Sequence, residues 1–72
     1  MIVIYGKDHC PYCDMAKQLC EREELKYEYL KLGEDFEREQ MMNTFPGART
    51  FPQIIFEGEK IGGYTDLVEK LK

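Results

Sequence analysis

Cys10-Pro11-Tyr12-Cys13 stands between an apolar run, Ile2 to Tyr5, and a helical pattern that opens at Pro11. That junction restricts the fold more than any other feature of the chain. Ile2 to Tyr5 is a continuous β-prone run of the kind found in a central strand. Gly6 to His9 reads as a loop. Proline suits the first helical position, because its missing N–H is one that a helix leaves unpaired in any case. A strand feeding a helix in this way calls for a parallel partner strand after the helix, reached by a right-handed crossover.

The rest of the pattern supplies that partner and more. The first helix runs to about Glu24, with Cys13, Ala16, Leu19 and Cys20 spaced to face a core. Lys26 to Leu32 alternates as a second strand and Gly33 breaks it. Glu34 to Asn43 reads as a second, very acidic helix whose apolar contacts are Phe36, Met41 and Met42, and Pro46-Gly47 ends it. Phe51 to Glu57 is a third strand. Glu57-Gly58-Glu59 turns the chain into a short fourth strand at Lys60-Ile61, making a hairpin. After Gly62-Gly63, Thr65 or Asp66 caps a last helix carrying Leu67, Val68 and Leu71. The order β-α-β-α-β-β-α predicts an α/β fold: one mixed four-stranded sheet flanked by three helices, in a single domain over residues 1–72. No repeat, linker or low-complexity segment interrupts it.

Charge and hydropathy exclude several partners. A net charge of −4 argues against nucleic acid, which requires a basic footprint. No apolar run approaches the roughly 18 residues of a membrane span. Met1 to Tyr5 carries no basic region or cleavage site. A cytoplasmic, reducing setting is therefore the expectation, and there cysteines are more often catalytic or metal-bound than structural. Three cysteines, an odd number, also argue against a disulfide framework.

The dithiol spacing then acquires a chemical meaning. Cys10 falls at or near the helix N-cap, facing unpaired N–H groups and the positive end of the helix dipole. Both favour thiolate over thiol, and Lys7 adds a nearby positive charge. The thiolate is the nucleophile of disulfide exchange. Cys13, one turn further in, is placed to attack a mixed disulfide formed at Cys10. The competing reading is half of a zinc site. A closed tetrahedral site needs four ligands, and only Cys10, Cys13, Cys20 and His9 are on offer, with Cys20 on the packed helix face.

With these residues the chain resembles the glutaredoxin family. Cys10-Pro11-Tyr12-Cys13 is similar to that family's dithiol motif. Thr50-Phe51-Pro52 is similar to its Thr-Val-Pro, in which the proline follows a cis peptide bond. Gly62-Gly63-Tyr64-Thr65-Asp66 resembles its Gly-Gly segment and following Ser/Thr-Asp. The resemblance implies a thioredoxin-like fold and a Cys10–Cys13 redox disulfide. It also implies glutathione as co-substrate and reduction of protein disulfides and glutathione mixed disulfides, with a potential of about −200 to −230 mV. Spacing alone favours a trans Pro52 at least as well as a cis one; the resemblance reverses that. It further implies that Phe51 offers its N–H and C=O to glutathione by strand addition. The start of the last helix, with Gly63, Tyr64 and Thr65, would then hold the γ-glutamyl carboxylate, and Asp66 the ammonium. Thr65 and Asp66 also serve as simple caps. The resemblance likewise implies Lys7 as the cation for the glycine carboxylate, with Arg49 a second candidate, and Tyr12 packing on glutathione. Ribonucleotide reductase as an electron acceptor and a monomeric state are further expectations.

The chain departs from the family where a second-helix glutamine or basic residue reaches the glycine carboxylate. The matching position is Glu39, which repels that group, and Arg38 or Gln40 substitutes with a small shift. Phe51 replaces the usual valine. Three rival readings remain at this stage: a glutaredoxin-like redoxin reduced by thioredoxin reductase, a carrier in which Cys10 from two chains and two glutathiones hold a [2Fe–2S] cluster, and the structural zinc module disfavoured above. Lys7, Tyr12, Thr50 and Asp66 together argue against the first, and Pro11 against the second. Cys20 reads as a buried small hydrophobe, and His9 as a loop residue or a tuner of the Cys10 thiolate.

Overall fold

Alternation decides how β1 is used. In a computed structural model, which describes residues 1–72, β1 (Ile2–Gly6) buries Ile2 and Ile4 on one face of a sheet and packs Tyr5 on the other. α1 (Pro11–Arg22) follows, then β2 (Tyr27–Lys31), α2 (Arg38–Thr44), β3 (Gln53–Phe56), β4 (Glu59–Gly62) and α3 (Tyr64–Lys70). The sheet order is β2-β1-β3-β4. β1 pairs parallel with β2, as the α1 crossover requires, and antiparallel with β3, so that Ile4 faces Tyr29 on one side and Ile54 on the other. β3 and β4 form the hairpin.

Two cores result. On one face Ile2, Ile4 and Ile54 meet Ala16, Leu19 and Cys20 of α1 and Leu67 of α3. Full burial of side chains such as Ile4, Ile54 and Leu67 contributes about 1.5–3 kcal/mol each. On the other face Phe36, Met41 and Phe45 gather around Tyr5, Leu30, Leu32, Phe51 and Ile55. The Tyr5 ring lies edge-on to Phe36 and Phe45, at 5.1 and 5.0 Å between centroids. β1 is thus the wall shared by both cores.

Several boundaries differ from the sequence expectation, each for a local reason. The second helix starts at Arg38, not Glu34. The Asp35 carboxylate accepts the Lys31 N–H at 2.8 Å and Gly33 N–H donates to Phe36 O at 2.8 Å, which holds residues 33–35 in a turn instead. Met42 is 63% exposed rather than a core contact; Phe45 takes that place. α1 stops at Arg22 because Glu24 adopts φ 56°. Its N–H donates to Glu21 O and the Leu25 N–H to Cys20 O, a Schellman ending with glutamate in the left-handed position. The third strand begins at Gln53, leaving Phe51-Pro52 ahead of it. The last helix is capped from Gly63, whose N–H donates to Asp66 Oδ2 at 2.9 Å; neither Thr65 nor Asp66 is the N-cap itself.

Candidate active site

The site lies where β1 hands the chain to α1. Cys10 is the N-cap of α1, in extended backbone geometry (φ −129°, ψ 97°), and its Sγ accepts the Cys13 N–H at 3.2 Å. It is 8% exposed and Cys13 not at all, so of the two cysteines only Cys10 keeps contact with solvent. The two are joined in a disulfide with their Cα atoms 5.3 Å apart. Cys10 Sγ lies 3.8 Å from Phe51 O. The Phe51-Pro52 bond is cis and Pro52 is buried. Neither the N–H nor the C=O of Phe51 has a backbone partner. An unpaired donor and acceptor therefore stand beside the disulfide, as at a free sheet edge.

Loops and caps hold the flanks. Thr50 is exposed, and its O and Oγ1 accept from Gln53 Nε2 at 3.0 and 3.4 Å, which ties the approach to β3. A Cβ on Gly63 would sit 3.4 Å from Pro52 O, in van der Waals contact, so the start of α3 lies close against the Pro52 backbone. Gly62 has φ 111°, and its missing Cβ leaves room for the Asp66 carboxylate. Tyr12 projects into solvent from the first turn of α1, with its ring 6.0 Å from that of Tyr64. Thr65 is exposed beside it. On the opposite flank Lys31 Nζ pairs with Asp8 at 3.1 Å and Glu34 at 3.4 Å, which steadies the loop before Cys10. Those two carboxylates push the Lys31 ammonium above its ordinary pKa. His9, at φ 56°, makes no hydrogen bond to the Cys10 sulfur.

Beside Phe51 opens a cleft of about 530 Å³, lined among others by Lys7, Arg38, Arg49, Thr50, Phe51 and Met42. Lys7 Nζ lies 5.3 Å above the Phe51 ring. The cleft brings together three cations that are remote in sequence. Of the substitutes considered for Glu39, Arg38 reaches it. Gln40 is engaged elsewhere, its Oε1 accepting the Glu37 N–H at 2.7 Å, and Glu39 does not line it. Leu32 and Met41 also line it; the sequence marked Met41 and Met42 only as apolar contacts of the second helix, not as part of a cleft. Cys20 is fully buried in the α1 core, where burial and the neighbouring Glu21 push its thiol up. No group of three or more His, Cys, Asp or Glu residues is arranged to hold a metal ion.

Comparison with known proteins agrees with this geometry. The glutaredoxin family model matches residues 2–61. Glutaredoxin 1 of Escherichia coli (strain K12) is 34% identical over 77 residues, covering 97% of this chain and 91% of that protein. A glutaredoxin of Oryza sativa subsp. japonica is 38% identical over 73 residues, covering 94% of this chain, which spans only 54% of that protein's length. The crystal structure of a buckwheat glutaredoxin–glutathione complex superposes with a TM-score of 0.81 at 26% identity, over 97% of this chain and 66% of the other. With its mixed four-stranded sheet, three helices and paired cysteines at the head of α1, the chain has the thioredoxin-like fold and belongs to the glutaredoxin family of thiol–disulfide oxidoreductases.

Proposed function

We propose that the chain reduces disulfides at the expense of glutathione, through Cys10 as nucleophile and Cys13 as resolving thiol. The observation that carries this reading is the unpaired N–H and C=O of Phe51 beside Cys10 Sγ, which offers a peptide-like thiol both a backbone edge and a sulfur to react with. The buckwheat complex supports glutathione as that thiol.

In the reduced protein the Cys13 N–H and the start of α1 favour the Cys10 thiolate. That thiolate attacks a substrate disulfide; one substrate sulfur leaves as a thiolate and takes a proton, and the other stays bound to Cys10. The Cys13 thiolate then attacks Cys10 Sγ, expelling the second substrate thiol and closing the Cys10–Cys13 disulfide. The protein has lost two electrons and the substrate has gained them. Two glutathiones reverse the process, the first bonding to Cys10 and releasing Cys13, the second removing the first as glutathione disulfide. On glutathione mixed disulfides, Cys10 takes the glutathionyl group and a second glutathione removes it without Cys13. Glutathione would lie with its backbone on Phe51, its glycine carboxylate toward Lys7, its γ-glutamyl end at Gly63, Tyr64, Thr65 and Asp66, and Tyr12 along its side.

A coupled assay with glutathione, glutathione reductase and NADPH tests the reading, with thioredoxin reductase as the competing donor. Cys10→Ser abolishes turnover on both substrate classes. Cys13→Ser keeps turnover on glutathione mixed disulfides and loses it on protein disulfides. Reduction by thioredoxin reductase with none by glutathione would overturn the proposal.

A further inference from the structure

The cleft beside Phe51 holds more positive charge than one carboxylate employs. The chain has 14 acidic and 10 basic residues, yet Lys7, Arg38 and Arg49 converge on a cleft that no acidic residue lines. None of the three makes an ion pair; Lys17, Lys26 and Lys60 make none either, but these do not line the cleft, and Arg22, Lys31, Lys70 and Lys72 are paired. The volume, about 530 Å³, falls within the roughly 300–1,000 Å³ of whole ligand pockets, and a terminal glycine leaves most of it open. Leu32, Met41, Met42 and Ala48 line the remainder with apolar surface. Met42 is the most exposed large apolar side chain of the protein, and an unbranched thioether adapts to partners of different shape. A backbone edge, an apolar floor and unneutralised cations thus lie side by side, next to the reactive sulfur.

Deepening the proposal above, and resting on the direction it gives the bound thiol, we infer that this cleft docks acidic polypeptide substrates. The segment it fits is extended, with the reacting cysteine followed by a large apolar residue and then by carboxylate side chains. The backbone pairs with Phe51. The apolar side chain lies on Met41 and Met42. The carboxylates meet Arg38 and Arg49, whose planar guanidinium forks match carboxylate geometry, with Lys7 nearest the cysteine. A lysine-rich segment in the same place meets like charge and is rejected, so the cleft selects by repulsion as well as attraction.

Three peptides test this without glutathione: one ending Cys-Leu-Glu-Glu, one ending Cys-Leu-Lys-Lys and one ending Cys-Gly-Glu-Glu, each as a mixed disulfide with thionitrobenzoate. Pre-reduced protein is mixed with each in a single turnover. The Cys10 thiolate attacks the peptide sulfur and releases coloured thionitrobenzoate; Cys13 then displaces the peptide thiol. At low salt the Glu-tailed leucine peptide reacts about tenfold faster than the Lys-tailed one, as complementary charge accelerates encounter. The gap closes near 1 M salt, where screening reaches about 3 Å. The glycine peptide is slower than its leucine counterpart. Arg38→Glu combined with Arg49→Glu inverts the order of the two leucine peptides, which a merely structural effect of the substitutions does not do. Equal rates for the two tails in the unsubstituted protein overturn the inference, as does an order that charge reversal leaves unmoved. Glutathione turnover measured on the same preparation separates the two readings. A tail preference without glutathione turnover removes only the glutathione proposal, and glutathione turnover with equal tail rates removes only the docking site.

Discussion

Asp66 is asked to do two things, and two substitutions separate them. Its carboxylate accepts the Gly63 N–H at 2.9 Å, closing the first turn of α3, and in the proposed complex it also faces the γ-glutamyl ammonium. Asp66→Ala removes both roles. Asp66→Asn keeps an oxygen that accepts the Gly63 N–H and removes only the charge. Loss of a helix-start hydrogen bond costs about 0.5–2 kcal/mol, and the exposed position of Asp66 places it at the lower end, near 1 kcal/mol. In a domain of this length that lowers Tm by about 4–8 °C. The asparagine variant keeps the hydrogen bond and loses only the favourable charge at the helix start, at the low end of about 0.3–1 kcal/mol for an exposed group. For glutathione the order changes. A charged hydrogen bond contributes about 1.5–3 kcal/mol when sheltered but an exposed pair only about 0.2–1, so at this exposed position both variants raise the glutathione KM roughly 1.5- to fivefold. Thermal unfolding of the oxidised proteins and the coupled glutathione assay measure the two effects. If Asp66→Asn leaves the glutathione KM unchanged while Asp66→Ala lowers Tm, the residue is a cap alone and the proposed placement of the γ-glutamyl group is wrong.

Three further outcomes follow from the geometry. In the reduced native protein a charged alkylating reagent labels Cys10 and spares Cys20, whose thiol is fully buried and pushed up by that burial; mass spectrometry should find Cys20 labelled only after denaturant is added. The Tyr27 hydroxyl donates to Glu21 Oε2 at 2.6 Å, and this bond, with burial, pushes its pKa up to about 12. Because the folded value lies above the unfolded one, about 10, the stabilisation is present in full below pH 10 and is lost as pH rises from 10 to 12. Chemical denaturation of Tyr27→Phe should accordingly show a deficit against the parent protein at neutral pH that vanishes by pH 12, and a constant deficit rejects the account. Glu24→Gly relieves the left-handed φ of 56° at the end of α1 and should raise stability by about 0.5–1 kcal/mol, the cost of a side chain there offset by glycine's greater unfolded freedom; a fall in denaturation midpoint contradicts it.

What the sequence made legible were features that depend on local chemistry. Pro11 marked the start of α1 to the residue, and the spacing of Cys13, Ala16, Leu19 and Cys20 gave its buried face correctly. The parallel and antiparallel pairings followed from element order, because a crossover helix and a short hairpin leave little choice. The misreadings arose where a side chain competes with backbone periodicity. Glu34 to Glu37 has helical composition, but Asp35 bonds back to the Lys31 N–H and keeps the chain in a turn. Met42 and Phe45 are both apolar near the end of α2, and only the position of the Tyr5 ring decides that the phenylalanine goes inside. The cations of the cleft show the same limit. The family resemblance, not the spacing, pointed Lys7, Arg49 and Arg38 toward one carboxylate, and it is the fold that brings all three to a single cleft.

The shared wall formed by β1 has a consequence for how such a protein is tuned. The sulfurs and the Asp66 end of the groove stand on helices anchored in the core of Ile4, Leu19 and Leu67, while Phe51 and α2, which bears Arg38, rest on the core of Phe36, Met41 and Phe45. The disulfide and the cationic cleft therefore stand on separate cores that meet at one strand, β1. Repacking around Phe36 or Phe45 acts on the cleft of Lys7, Arg38 and Arg49 through Phe51, while the core of Ile4, Leu19 and Leu67 that carries α1 is left in place.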